Sequence, residues 1–221
     1  MIVQYGVAAL LRNVAAPVES ERANIMAKTT SEVIQLPELK QRKVIIKVRG
    51  TSSLITHPFG KKALKMIEDK QQGKAKSSKH DIRDPEQEYQ DSMYIRKDGT
   101  FGFPAIGFKA AVVTAANDAG IQKVLARRSF HVVGGELVKI EGEPSMRTDR
   151  VTIGMGTTDI RYRAEFKEWS ADVPIVFNEG VISLEQLVNL FKIAGFGVGV
   201  GEWRPERDGI HGTWDVEGVI G

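Results

Sequence analysis

The order of patterned segments along this chain predicts an α+β fold of ferredoxin-like (RRM-like) type, an antiparallel sheet with two helices on one face. Three observations predict it. A strand-like alternation at residues 43–56 is followed, after an insertion, by an alanine-rich helical segment opening at Pro104. Strand-like segments then recur at residues 130–140, 160–168 and 173–177. A second helix, opened by a Ser183–Gln186 capping-box pattern, precedes a last strand near residues 212–216. Strand, insertion, helix, strands, helix, strand is the split β-α-β-β-α-β order with extra strands, and it leaves the far face of the sheet open to a ligand.

Each element has its own warrant. Residues 1–40 are weakly patterned, with a short helix expected at residues 19–28, and read as an N-terminal arm that packs on a neighbour or frays. The main domain is residues 41–221. In residues 43–56, Val44, Ile46 and Val48 point one way and Ile45, Lys47 and Arg49 the other. Ala63, Leu64 and Ile67 then fall at helical spacing. Residues 70–92 are too polar to bury a core of their own, so a basic inserted loop or thumb is expected at about residues 61–92. Pro104 suits the start of the next helix and Gly120 its end. Gly134-Gly135 reads as the turn of a hairpin within residues 130–140, and residues 141–150, with Arg147 and Arg150, as a polar loop. In residues 160–168, Ile160, Tyr162, Ala164 and Phe166 share one face, which leaves Arg161, Arg163, Glu165 and Lys167 toward solvent or a partner. Gly195 is the expected stop of the last helix.

Composition sets limits. The 221 residues contain no cysteine, which excludes a disulfide framework and any Cys-ligated zinc or iron–sulfur site and fits a cytoplasmic compartment. No apolar run approaches the roughly 18–20 residues that cross a bilayer, and the first residues lack the basic region of a signal peptide, so no membrane partner is expected. The net charge of +3 hides an asymmetry: residues 40–80 hold twelve Lys and Arg against two acids, Glu68 and Asp69. A basic block in a near-neutral chain is either the footprint of a polyanion or a solvated lysine-rich loop.

Gly195, Gly197, Gly199 and Gly201 alternate with Phe196, Val198 and Val200. No G-x-G-x-x-G opens a helix here and no G-K-[ST] follows, so a mononucleotide or dinucleotide site has little support and no cofactor is expected. Alternating glycines bare one side of the main chain, so that another backbone, or a sugar–phosphate strand, can come close. Trp203, Arg204 and Arg207 follow directly, a stacking ring with two cations. The alternative is a glycine-lined turn packed on the neighbouring helix.

Three segments carry a family resemblance. F-P-A-I-G-F-K-A-A-V-V-T-A-A, residues 103–116, resembles the helix-opening segment of RAMP proteins, with Pro104, Lys109 and Ala111 on its pattern and Gly107 and Phe108 where Ser and Leu are usual. G-V-G-V-G-E-W-R-P-E-R-D-G-I-H-G-T-W resembles their C-terminal glycine-rich loop, and R-G-T-S-S-L-I-T-H their opening strand and its loop. The resemblance implies a ferredoxin-like core and, most closely, the guide-RNA-binding backbone subunit of CRISPR effector complexes, in a divergent form of the kind a phage or plasmid would carry. The implied partners are a single-stranded nucleic acid, RNA ahead of DNA, further copies of the chain side by side along it, and other effector-complex subunits. The expected strand contacts are Arg49, Lys61, Lys62, Lys109, Arg127, Arg128, Arg204 and Arg207 on phosphate, Trp203 and Phe59 as stacking or wedge residues, and Gly197, Gly199 and Gly201 as bare main chain. A single-stranded DNA-binding protein and a self-assembling structural protein are the alternatives. Some RAMP subunits cut RNA with a loop aspartate, for which Asp81, Asp84 and Asp91, near His57 and His80, are the candidates; the expectation is a binding protein without catalysis. The four histidines have no ligand spacing, so no metal is expected.

Overall fold

The computed structural model of the chain describes residues 36–73, 83–153 and 156–221, apart from the side chains of Lys61, Lys62, Ala63, Met66 and Ile153. The helix expected at residues 19–28 lies outside the described residues. The chain divides into Met1–Glu38 and Leu39–Gly221, and the elements that follow belong to the second unit. Strand β1 (Gln41–Gly50) buries Val44, Ile46 and Val48 as their alternation demands. It ends where the Trp169 indole lies over Gly50, in space that any side chain at position 50 would occupy. The indole Nε1 donates to the Ser52 carbonyl at 2.8 Å, and the chain turns away. The single strand expected over residues 43–56 is therefore two, because β2 (Leu54–Thr56) joins a different sheet.

The architecture is α+β with two antiparallel sheets. The larger has the strand order β10–β1–β9–β6–β4–β3, in which β3 is Tyr94–Ile95, β4 Phe101–Pro104, β6 Leu137–Glu141, β9 Ser170–Asn178 and β10 Trp214–Ile220. Strand β5 (Phe130–Val132) also pairs with β9, so the hairpin expected within residues 130–140 does not form. Instead, β5 runs beside Ile175–Phe177 and β6 beside Ser170 and Ala171. Gly134 and Gly135, at φ 90° and 128°, carry the chain from one to the other. The smaller sheet is β2–β8–β7, built on a long hairpin of β7 (Pro144–Ile153) and β8 (Thr157–Phe166) paired from Pro144–Phe166 to Ile153–Thr157. Residues 141–150, expected as a loop, are mostly strand, because their polar side chains find partners across the hairpin rather than in water.

Five helices lie among the described residues. The first, α1 (Lys61–Gln71), follows Gly60, and α2 (Pro85–Asp91) falls inside the stretch expected to be a loop. Asp84 caps α2 by accepting from the Glu86 and Gln87 amides, Pro85 supplies a ready first-turn φ, and Tyr89 donates to the Pro144 carbonyl at 3.1 Å. Arg83 clamps the same region to β8 through Glu88 and Asp159. Helix α3 (Ala105–Asp118) buries Phe108, Val112, Val113 and four alanines. It is followed by α4 (Lys123–Ser129). Helix α5 (Leu184–Gly197) opens on a complete capping box, Ser183 with Gln186, and buries Leu187, Leu190 and Phe191. Helices α3 and α5 pack on each other and on the buried face of the large sheet. A run of edge-to-face rings, Tyr94, Phe103, Phe108 and Trp214, at centroid separations of 5.9, 5.7 and 5.8 Å, ties β3, β4, α3 and β10 together. Phe101 against Phe166, at 5.4 Å, joins the two sheets.

Gly195 lies within α5 rather than ending it, and it is a glycine because the Trp214 carbonyl occupies the space of a Cβ there. Gly197, one turn-end later, faces open space. Gly195→Ala is therefore expected to cost more than about 2 kcal/mol of unfolding free energy. Gly197→Ala is expected to be neutral or to stabilise by up to about 1 kcal/mol. Urea denaturation of the two variants beside the parent measures both.

Candidate nucleic-acid interface

The glycine-rich loop is held by main-chain bonds at nearly every step. Gly199 donates to the Ala194 carbonyl (2.9 Å), Val200 to Gly212 (2.9 Å), Glu202 to Ile55 (2.9 Å) and Gly212 to Ser53 (2.8 Å). A Cβ at Gly201 would collide with the Ile55 carbonyl, and one at Gly212 with the Val200 carbonyl. Gly199 and Gly201 have φ of 72° and 80°, which L side chains rarely adopt. The close approach that the glycines permit is thus to the protein's own backbone. This corrects the expectation of a bare cradle: Gly199 is buried with its amide used internally, Gly201 is half-buried against β2, and Gly197 alone of the three is exposed.

What the loop presents instead is Trp203. Its φ of 54° is one of two positive values at non-glycine residues among the described residues, and its carbonyl accepts from His211 at 2.9 Å. The side chain is 44% exposed, whereas Trp169 and Trp214 are buried. Arg204 is anchored, with Nε and Nη2 on the Glu206 carboxylate at 3.0 and 2.8 Å and Nη1 on the Gly201 carbonyl at 3.1 Å. Arg207 ends the short 3₁₀ turn Pro205–Arg207, exposed and with no ion pair among the described residues.

Beneath the loop lies a charged layer that the alternation of β8 did not predict as buried. Arg163 is only 5% exposed; its Nη1 donates to Asp149 at 3.1 Å and its Nη2 lies 3.5 Å from Glu202. Arg147 bridges Asp149 (2.7 Å) and Glu165 (3.0 Å), and Ser53 joins Glu165 (2.7 Å) to His211 Nδ1 (2.8 Å). Of the face expected toward solvent or a partner, Arg163 is buried and paired with Asp149 and with Glu202 of the glycine-rich loop, Arg161 and Glu165 are half-buried, and Lys167 is exposed as expected. Burial alone pushes the Asp149 carboxyl up; hydrogen bonds and charge from Arg147 and Arg163 overcome that and hold it below the ordinary carboxylate range.

Between the loop and α3 is a cavity of about 240 Å³. Its walls include Tyr94, Phe103, Gly107, Ala110, Thr114 and Val200, and Glu202, Arg204, Glu206 and His57 complete them. His57 Nε2 lies 3.3 Å from Arg161 Nη1, and its Nδ1 is buried without a partner. Burial, then the charges of Arg163 and Arg161, lowers its pKa and favours the neutral ring. The Tyr94 hydroxyl is pushed up by burial and by Glu202, so it remains a donor.

The expected contact residues fall into separate groups. Gly199, Gly201 and Arg204 line this cavity, and Trp203 sits between its lining residues Glu202 and Arg204. Lys109 Nζ lies 2.9 Å from His131 Nδ1, and burial, then Arg127, lowers its pKa. These form a second basic group with α4, where Arg127 and Arg128 are exposed in the last turn. Arg49 sits apart, paired with Glu217 across β1 and β10. Phe59 is exposed between β2 and α1; Lys61 and Lys62 open α1, with side chains outside the described residues. Of the aspartates, Asp84 is occupied as a helix cap, Asp91 ends α2, and Asp81, with His80, lies outside the described residues. His57, Tyr94, Thr114 and Glu202 were not singled out from the sequence for a binding site. Exposed Phe196 was also missed, although its place in the glycine alternation was visible.

No helix among the described residues is long and apolar enough to cross a membrane. Comparison with known families finds no matching family, and none of the curated proteins matches the chain.

Arg163→Ala would leave the buried Asp149 with Arg147 alone and the partly exposed Glu202 without its arginine, and is expected to cost roughly 2–3 kcal/mol in urea denaturation. The Asp149 contribution is full above about pH 4, where the unfolded carboxyl is ionised, and is lost as pH falls through the lower folded value. Asp149→Asn should therefore be less stable at neutral pH and show a shallower fall in melting temperature below about pH 4.

Proposed function

We propose that this chain is a divergent RAMP-type subunit with a ferredoxin-like core that binds single-stranded nucleic acid, RNA ahead of DNA, with several copies side by side along the strand. The strand order β10–β1–β9–β6 supports the core assignment, since α3 lies between β1 and β6 in sequence and α5 between β9 and β10. The observation that carries the binding reading is Trp203. An exposed tryptophan in left-handed backbone is costly, and here the surrounding hydrogen bonds impose it. An exposed ring four residues before the exposed Arg207 suits stacking of successive bases, which every base allows, so binding by this surface is largely independent of sequence. Phosphate contacts come from Arg207, from the group of Lys109, Arg127 and Arg128, and from Lys61 and Lys62 at the start of α1. Arg204 and Arg49, already paired with acids, serve the fold more than the strand.

Fluorescence anisotropy of a labelled 20-nucleotide strand tests this. Affinity should fall steeply between 50 and 200 mM salt, as counterion release requires. Trp203→Ala should weaken binding by roughly 1–3 kcal/mol, and Lys61→Glu with Lys62→Glu should weaken it equally for all sequences. RNA and DNA probes of the same sequence decide the polymer. No binding at low salt, or binding indifferent to both salt and Trp203, overturns the proposal.

A further inference from the structure

We infer that the cavity between α3 and the glycine-rich loop is a receptor for a single nucleobase, and that it prefers bases bearing an exocyclic amine. This rests on the strand-binding reading for the source of the base, while the cavity makes its own case. Its volume, about 240 Å³, is below the ~300–1,000 Å³ of pockets for drug-sized ligands, so it is scaled to one ring system. The walls combine the Tyr94 and Phe103 rings with Ala110 and Val200, a lining that suits a flat heteroaromatic. The polar groups are mixed. His57 Nδ1 is buried and unpartnered, and the Tyr94 and Thr114 hydroxyls make no hydrogen bond within the protein among the described residues.

A buried donor without a partner carries an unrecovered desolvation cost, which an acceptor on the ligand would offset. With Nε2 directed to Arg161, the neutral imidazole offers Nδ1–H as donor. Base carbonyl oxygens and ring nitrogens are such acceptors.

Charge narrows the choice. Glu202 and Glu206 both line the cavity and, by pairing with arginines, leave no unpaired cation among its described lining residues to hold a phosphate. Each already has an arginine, Arg163 at 3.5 Å and Arg204 at 2.8 Å, so the cavity has little pull for a free cation. A neutral ring with both donors and acceptors remains. The Glu202 carboxylate accepts hydrogen bonds from an amine, as on adenine or cytosine, and opposes the carbonyl that uracil carries there. Trp203, adjacent in sequence to Glu202, then stacks a neighbouring base of the same strand.

Adenosine, cytidine and uridine are the probes, read by saturation-transfer NMR on the full chain, with strand anisotropy measured on the same samples. Adenosine and cytidine should bind at least tenfold more tightly than uridine. Thr114→Phe, which fills the cavity from its half-buried wall, should weaken adenosine at least tenfold. Glu202→Gln, whose amide both donates and accepts, should level adenosine with uridine and serves if the first variant does not fold. Adenosine binding without strand binding supports the receptor and overturns the strand reading. Strand binding without any nucleoside binding, or equal binding of all three nucleosides by the parent, overturns the receptor and leaves the strand reading standing.

Discussion

Everything proposed for this protein depends on how closely the glycine-rich loop approaches the main chain beside it. Gly201 lies against the Ile55 carbonyl and Gly212 against the Val200 carbonyl, with separations that no Cβ tolerates. That contact, secured by the Glu202–Ile55 and Gly212–Ser53 bonds, makes β2 a seat for the loop. With the seat fixed, Glu202 turns toward Arg163, Trp203 is forced outward in left-handed backbone, and Arg204 and Glu206 close the rim of the cavity. The glycines thus shape the surface without forming it.

The buried charges join parts of the chain that are far apart in sequence. Arg163 stands on the hairpin and Glu202 on the loop, while Ser53, on the turn before β2, joins Glu165 of the hairpin to His211. Such networks add little net stability over an apolar filling but penalise any arrangement that breaks them. Here the penalty is placed where β2, the hairpin and the loop meet, and it holds the hairpin in one orientation relative to Trp203. We regard that as the reason for placing arginine and carboxylates on a face that would pack more cheaply with valine and leucine.

Local signals in the sequence were strong wherever a structure is decided within a few residues. The capping box at Ser183, the alternation of Val44, Ile46 and Val48, and Gly120, just past the end of α3, all acted as their chemistry predicts. The same signals were present in Asp84-Pro85-Glu86, yet the polarity of the surrounding stretch masked them and α2 was taken for loop. Elements decided by distant partners were not legible. Arg147 and Asp149 are strand residues because Glu165 and Arg163 of β8 satisfy them, and nothing local reveals those partners. Gly134-Gly135 looked like a hairpin turn because a two-residue glycine turn is common, but β9 offered a longer ladder to both flanks. At the candidate site the sequence pointed to Trp203, Arg204 and the glycines as neighbours. It assigned the glycines the wrong contact, named His57 only beside the loop aspartates, and left out Tyr94 and Thr114; the three meet only because β2, β3 and α3 converge.

Stacking of a base on Trp203, as proposed, is reported by that residue's own fluorescence. Trp169 and Trp214 are buried, so a change in exposed tryptophan emission belongs to position 203. Titration with an unlabelled single strand at low salt should quench that emission in step with binding, and the quenching should vanish in Trp203→Phe. Emission unchanged at saturating strand would contradict the account.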